Sequence, residues 1–212
     1  MEELELLHQA ELSVDWIHEF VVESNKIDPQ PSGNEPGFLL YDGHREAALY
    51  AIRMAAEGHF ALPNAIHKLL LRDHPLAEKL RTHNIKIGLN CILEARFVHY
   101  LLWRWNWSVK NVMNHLRTAR NIDSEDKVAE VWALHCEFEN IHPYELYNGK
   151  VGRILMLNHA LLADIDPWVI PCTSLSRECY FDLIRNHPSA NWGLNPPINA
   201  AILPPEHFLA TS

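Results

Sequence analysis

His142, Asn148, Gly149, Lys150 and Arg153 lie in one short stretch, IHPYELYNGKVGRILMLN, residues 141–158. An imidazole is the side chain that most readily takes and returns a proton near neutral pH. An Asn-Gly step opening an apolar helix leaves that helix's first amides free, and two cations nearby reinforce its positive end. Lys150, Arg153 and the amides of residues 148–150 therefore read as an anion site suited to phosphate oxygens. The plainer alternative is a histidine on an ordinary turn between two core helices, with both cations in solvent.

Such a site needs a helix on each side. Pro143 ends a helix carrying Val128, Ala129, Trp132 and Cys136, which puts His142 at its C-terminal end, where the ring can enter a cleft. Ile154, Leu155, Leu157, Leu161 and Leu162 define the buried helix that follows. Near the N-terminus, Leu12, Trp16 and Phe20 make one stripe of a helix that stops near Asp28, because Pro29 pushes its predecessor out of helical geometry. DPQPSGNEPG is then a loop. HREAALYAIRMAAEG and LPNAIHKLLLRD read as helices. So do SVKNVMNHLRTARN and SEDKVAEVWALHCEFENI, each opened by a serine able to cap free amides.

Between residues 84 and 100 the pattern changes. Ile85 and Ile87 alternate with Lys86, Gly88 and Asn90 supply turn chemistry, and CILEARFVHY is rich in β-branched and aromatic residues. A small hairpin or extended flap is expected, with too few strands for a sheet core. The fold class predicted is mainly α. Trp103, Trp105 and Trp107 are read as sealing the core rather than forming a docking patch.

With 212 residues, 48% of them hydrophobic and 21% charged, the chain has enough apolar material for a full core. A formal charge of -9 argues against broad nucleic-acid binding. No apolar run has the length of a membrane span, and the first residues lack a signal-peptide pattern, so no membrane partner and a cytoplasmic location are expected. Cys91, Cys136, Cys172 and Cys179 never approach CxxC spacing and are read as reduced core thiols. The fourteen histidines form no HExxH set.

The segment from His142 to Arg153 resembles the signature of Fic (Fido) domain proteins, His-x-Phe-x-acid-Gly-Asn-Gly-Arg-x-x-Arg. In that family a target protein's hydroxyl is modified with AMP from ATP. His142, Asn148, Gly149 and Arg153 match the signature outright, Tyr144 stands for Phe, and Pro143 fits the usual neighbour. AEVWALHCEFENIHP resembles the family's helix leading into the motif, IKIG its target-docking flap, and SRECYFDLIRNHP, with Tyr180, its closing helix. The resemblance implies a helical bundle with a hairpin flap. It implies His142 as base, and Asn148, Gly149, Lys150 and Arg153 as the phosphate grip. ATP is the implied donor, and a protein with a Ser, Thr or Tyr hydroxyl the implied acceptor.

The motif also departs from the family. Leu146 stands where the family's magnesium-holding carboxylate belongs, and Glu145 lies one position early, a remote metal candidate. Tyr147 replaces a small residue, and Lys150 replaces an arginine, keeping charge but losing the planar two-pronged grip. Loss of the metal anchor alone is expected to slow transfer by on the order of a thousandfold.

Many Fic proteins also carry Ser/Thr-x-x-x-Glu-Gly/Asn, whose glutamate pairs with the motif's last arginine in place of the γ-phosphate. Ser24 and Asp28 share that spacing on one helical face. The resemblance implies an inhibitory segment there, with Glu23 a weaker candidate. The organisation expected is an N-terminal helix with the inhibitory motif over residues 1–30, a Fic-type core over 31–190 and a proline-rich tail over 191–212. The function expected is AMP transfer to a protein hydroxyl with weakened activity. The rival is a non-catalytic module that binds a nucleotide or a protein partner, and a different phosphate-containing donor is a third reading.

Overall fold

The apolar run after the Asn-Gly step becomes the centre of the molecule. In the computed structural model it is helix α7 (Asn148–Leu162), in which all but Gly149 and Leu161 are buried. The structure describes residues 3–28, 37–84, 86–87, 90–91, 93–119 and 121–189. Among these, α1 (Glu3–Gln9), α2 (Val14–Ile27), α3 (Gly37–Ala56) and α4 (Pro63–Leu71) precede α7 on one side of a short hairpin. On its other side come α5 (Val98–Thr118) and α6 (Ser124–Ile141), and α8 (Ser174–Asn186) follows α7. Helices α2 to α6 all pack against α7. The fold is mainly α.

The hairpin is a two-residue antiparallel ladder, β1 (Lys86–Ile87) with β2 (Asn90–Cys91), in register Lys86 to Cys91. It is shorter than the 84–100 flap expected. Leu93 is already buried, a 3-10 turn spans Ala95–Phe97, and α5 begins at Val98. Helix α5 also absorbs the tryptophan run: Leu101, Trp105, Val109, Met113 and Leu116 form one buried stripe at helical spacing, so Ser108 lies inside a helix rather than at its cap. Trp105 is in the core and donates from Nε1 to the Leu134 carbonyl at 2.8 Å, whereas Trp107 is exposed. Asp123, not Ser124, caps α6, accepting from the Asp126 amide at 2.8 Å. Ser13 and Thr173 cap α2 and α8 in the same way. Cys136, Cys172 and Cys179 are free, and only Cys136 is a core thiol; Cys179 is exposed on α8. The tail over 191–212 and the loop over 29–36 lie outside the described residues.

Two features hold α3, α4 and α7 together. Asn158 is fully buried; its Nδ2 donates to the carbonyls of Ala51 at 2.9 Å and His59 at 3.3 Å, and its Oδ1 accepts from Ala61 at 3.1 Å. One amide thus joins α7 to the end of α3 and to the approach to α4. Gly43 lets α3 and α4 touch: a Cβ there would lie 2.8 Å from the Leu69 carbonyl oxygen, which is backbone and cannot rotate away. Gly43→Ala is expected to push these helices apart and cost about 1–3 kcal/mol. The readout is a lower urea midpoint at unchanged slope.

Candidate functional site

His142 follows the last turn of α6 in a left-handed conformation, φ 50° and ψ 61°, with its amide donating to the Phe138 carbonyl at 3.0 Å. That turn, with Pro143 after it, sends the chain away from the helix axis. The ring is half-buried, and its Nδ1 has no well-aligned hydrogen-bond partner among the described residues. Burial and then the charge of Arg81 pull its pKa down to about 4, against the milder opposing pull of the Glu139 carbonyl and Asp28. The imidazole is neutral at pH 7 and free to accept a proton.

The turn from Tyr144 to Asn148 is tied off by one side chain. Asn148 accepts from the Tyr144 amide at 2.8 Å and donates to the Tyr144 carbonyl at 2.7 Å. Its side chain is therefore spent on the turn, and only its backbone amide is left for a ligand. Tyr144 is fully buried, stacked on His67 with centroids 3.9 Å apart, and its hydroxyl donates to Asn64 Oδ1 at 2.6 Å. Tyr147 precedes α7 at φ 63°, a left-handed position that costs a bulky residue on the order of 1 kcal/mol.

Neither cation of the motif is in solvent. Lys150 and Arg153 are each 1% exposed. The Arg153 guanidinium donates to Ser24 Oγ at 2.7 Å, the Ser24 carbonyl at 2.9 Å, Asp28 Oδ2 at 2.7 Å and the Tyr180 hydroxyl at 3.2 Å. Lys150 Nζ donates to the Asp28 carbonyl at 3.2 Å and sits 5.0 Å from the centre of the Tyr147 ring. Burial lowers the Lys150 pKa to about 8, against the pull of Asp28, so it remains a cation at pH 7. Burial raises the Asp28 pKa, but Arg153 and Lys150 together hold it below the usual range. The net result is a carboxylate seated over the first turn of α7. A Cβ at Gly149 would lie 2.1 Å from Asp28 Oδ2 and 3.0 Å from Arg153 Nη1, so the glycine leaves the cradle in which that anion sits.

The structure thus brings Ser24, Asp28, Gly149, Lys150 and Arg153 to one point, with His142 close enough to couple electrostatically to Asp28. Glu23 turns elsewhere: its Oε2 accepts from the Cys172 amide at 2.6 Å. The residues around the motif do not fit an anchored magnesium ion. Leu146 supplies no ligand, and Glu145 Oε1 lies 3.3 Å from His83 Nδ1 on the hairpin side. Among the described residues no group of three or more His, Cys, Asp or Glu is arranged to hold a metal.

Sequence reasoning overlooked the floor of the site. His135 and Glu139, one turn apart on α6, are buried beneath α7; His135 Nε2 lies 2.9 Å from the Tyr180 hydroxyl, and Glu139 Oε1 has no partner among the described residues. Burial lifts the Glu139 pKa to about 8, so it is mostly protonated at neutral pH despite Arg153. Gly152 makes room for it, since a Cβ there would lie 2.0 Å from Glu139 Oε1. The HxxxE spacing was visible in the sequence, but nothing in it distinguishes a buried pair from an ordinary helix face.

Residues 59–160 match the model of the Fic/DOC family. Among solved structures the chain is similar to a Fic domain containing signaling protein from Bacteroides thetaiotaomicron VPI-5482, with a TM-score of 0.68 and 14% identity, covering 91% of this chain and 80% of that one. At that identity the likeness speaks for the fold. No curated protein matches. Among the described residues no helix is long and apolar enough to cross a membrane.

The buried histidines set an acid limit on stability. Burial is the first cause that pulls His67, His142 and His159 down to about 4 and His135 to about 3. Unfolded, these rings protonate near 6.5, so between about pH 6.5 and 4 the unfolded chain binds more protons and stability falls as pH falls. Glu139 has the opposite sign: its folded pKa is raised, so its contribution is present at low pH and is lost as pH rises through about 8. Thermal melts are expected to show Tm dropping below about pH 6.5, the histidines outweighing the single glutamate. A Tm flat down to about pH 4 would contradict neutral buried rings.

Proposed function

We propose, from the premise that residues 59–160 form a Fic/DOC-family domain, that this chain is a nucleotide-dependent protein transferase restrained by its own α2. It moves AMP from ATP to a Ser, Thr or Tyr hydroxyl of a protein, at a weakened rate. The observation that carries this reading is the Asp28 carboxylate on Arg153, over the Gly149 cradle and near a neutral His142. A seat that already holds one anion between a guanidinium, an ammonium and a helix N-terminus has the chemistry to hold phosphate oxygens instead.

In the proposed reaction His142 takes the proton from the acceptor hydroxyl as its oxygen bonds to the α-phosphorus. The bond from that phosphorus to the bridging oxygen breaks, and pyrophosphate leaves. Lys150, Arg153 and the amides at the start of α7 meet the charge on the phosphates. Leu146 stands where the family's metal anchor belongs, and the low pKa of His142 makes it a modest base; both agree with slow turnover. The rival, a binding module without turnover, draws its support from Leu146 and from the bulky Tyr147 at the mouth of the seat.

Asp28→Gly tests the restraint. Without Asp28 the buried Arg153 charge loses its anion, so Tm is expected to fall, and added ATP to restore it. ATP affinity by calorimetry is expected to rise about tenfold or more, because the nucleotide no longer competes with a tethered carboxylate. Unchanged affinity and unchanged Tm would remove the regulatory reading.

Repair of the motif tests the chemistry. Leu146→Asp together with Tyr147→Gly restores a carboxylate and a residue suited to the left-handed position. AMP transfer from ATP labelled at the α-phosphate, in magnesium buffer, is expected to rise by on the order of a hundredfold or more. Adding His142→Ala is expected to abolish the gain. A repaired chain that folds and binds ATP but transfers nothing would favour the binding module.

A further inference from the structure

Arg81 takes no part in the anion seat, yet it is 2% exposed and uses its whole guanidinium fork. Its Nε donates to the His142 carbonyl at 2.7 Å, Nη1 to His83 at 3.1 Å, and Nη2 to Leu93 at 2.7 Å and Ile141 at 3.3 Å. Two of these carbonyls belong to the last residue of α6 and to His142, and two to the chain entering and leaving the β1–β2 hairpin. The backbone repeats the connection: Arg81 N–H donates to the Pro143 carbonyl at 2.9 Å, and Leu80 forms an antiparallel bridge with Tyr144. Asn84 Oδ1 accepts from the Ala95 amide at 2.9 Å and closes the hairpin's mouth. Among the described residues no carboxylate pairs with Arg81, so the carbonyl dipoles at the end of α6 and at the hairpin roots balance its charge.

We propose that Arg81 is the positioning residue for His142, its guanidinium joining both roots of the hairpin to the left-handed turn that carries the imidazole, so that hairpin and base are held as one unit. A partner that moves the hairpin would then move the base with it. The inference rests on the reading of His142 as the base, but the bonds that carry it do not depend on turnover. A lysine cannot replace the fork: its compact ammonium reaches one or two of four carbonyls spread around a plane, while keeping the charge. Besides Arg81, the groups that act on the His142 ring are Asp28 at the end of α2 and the Glu139 carbonyl of α6.

The experiment uses the full chain without nucleotide and two variants. Arg81→Lys keeps the charge and loses the fork. Exchange of the hydrogen-bonded amides of Ala95 at the hairpin root and of His142 and Tyr144 in the turn is expected to quicken together, by about tenfold or more, while the core of α7 is unchanged. Arg81→Gln removes the charge, and the His142 ring, followed by NMR, is expected to titrate at higher pH than in the parent, whereas in Arg81→Lys it stays low. Loosening at Ala95 alone, with the His142 and Tyr144 amides still protected, would overturn the proposal. So would a His142 titration unmoved in a folded Arg81→Gln variant. If Arg81→Gln does not fold, the exchange pattern of Arg81→Lys decides alone. Failure of the transferase reading would look different: no AMP transfer by the repaired chain, with both effects of Arg81 intact.

Discussion

A guanidinium almost wholly withdrawn from water organises this molecule. Burying the Arg153 charge without partners would cost several kcal/mol, and the polypeptide meets that demand from two other helices, with Ser24 and Asp28 at the end of α2 and Tyr180 on α8. Burial alone would lower the arginine's pKa, but the Asp28 carboxylate pushes it up, so the group is charged at every accessible pH. Everything nearby is arranged around that fixed charge. His44 and His135 are kept neutral first by burial and then by the cations, and Glu139 keeps its proton at neutral pH. Helix α2 is thus joined to α7 by electrostatics as well as by the apolar core they share, whereas α8 packs with Ile27 and Cys136 in a separate apolar cluster and reaches α7 through Tyr180.

The same arrangement makes the anion seat and the carboxylate that fills it one structure. A carboxylate on a flexible surface arginine is worth little, but here the arginine is buried and the carboxylate partly so, and removal of either leaves an uncompensated charge. Any occupant that displaces Asp28 must therefore be an anion. The α2 end has further holds: Arg177 of α8 donates to the Ile27 carbonyl at 2.8 Å, and Glu23 accepts from the Cys172 amide. On the other side of the motif the chain belongs to a separate set of bonds. Glu145 faces His83, and Arg81 joins the hairpin to the His142 turn. The site is the meeting of two units, an anion seat built on α2 and α7 and the His142 turn built on α6 and the hairpin roots.

The order His-Pro, Asn-Gly and Arg in one short stretch was enough to place a histidine at a helix end, an amide-rich helix start after it and an arginine on the next turn, because those effects are local to the backbone. The apolar periodicity of residues 154–162 marked the central helix, and the i, i+4 spacing of Ser24 and Asp28 put both on one side of the end of α2, where Asp28 is the C-cap. Local patterning failed where side-chain packing outvotes propensity. The β-branched and aromatic run at 91–100 read as part of a hairpin or extended flap, yet the buried stripe from Leu101 onward carries the helix back to Val98.

What the sequence by itself determined was therefore the inventory and the local geometry: a helical chain, a histidine at a helix end, an Asn-Gly helix start with two cations close by, and Leu146 where the family signature has a carboxylate. Only the tertiary structure decided that Arg153 is buried rather than solvated, that Asp28 reaches it across the fold, that Asn148 spends its side chain on its own turn, and that Arg81 grips the His142 turn from a distant segment. The physical reason is that burial and charge pairing depend on which surfaces meet. Asp28 and Arg153 are far apart along the chain, and no periodicity within either segment encodes their contact.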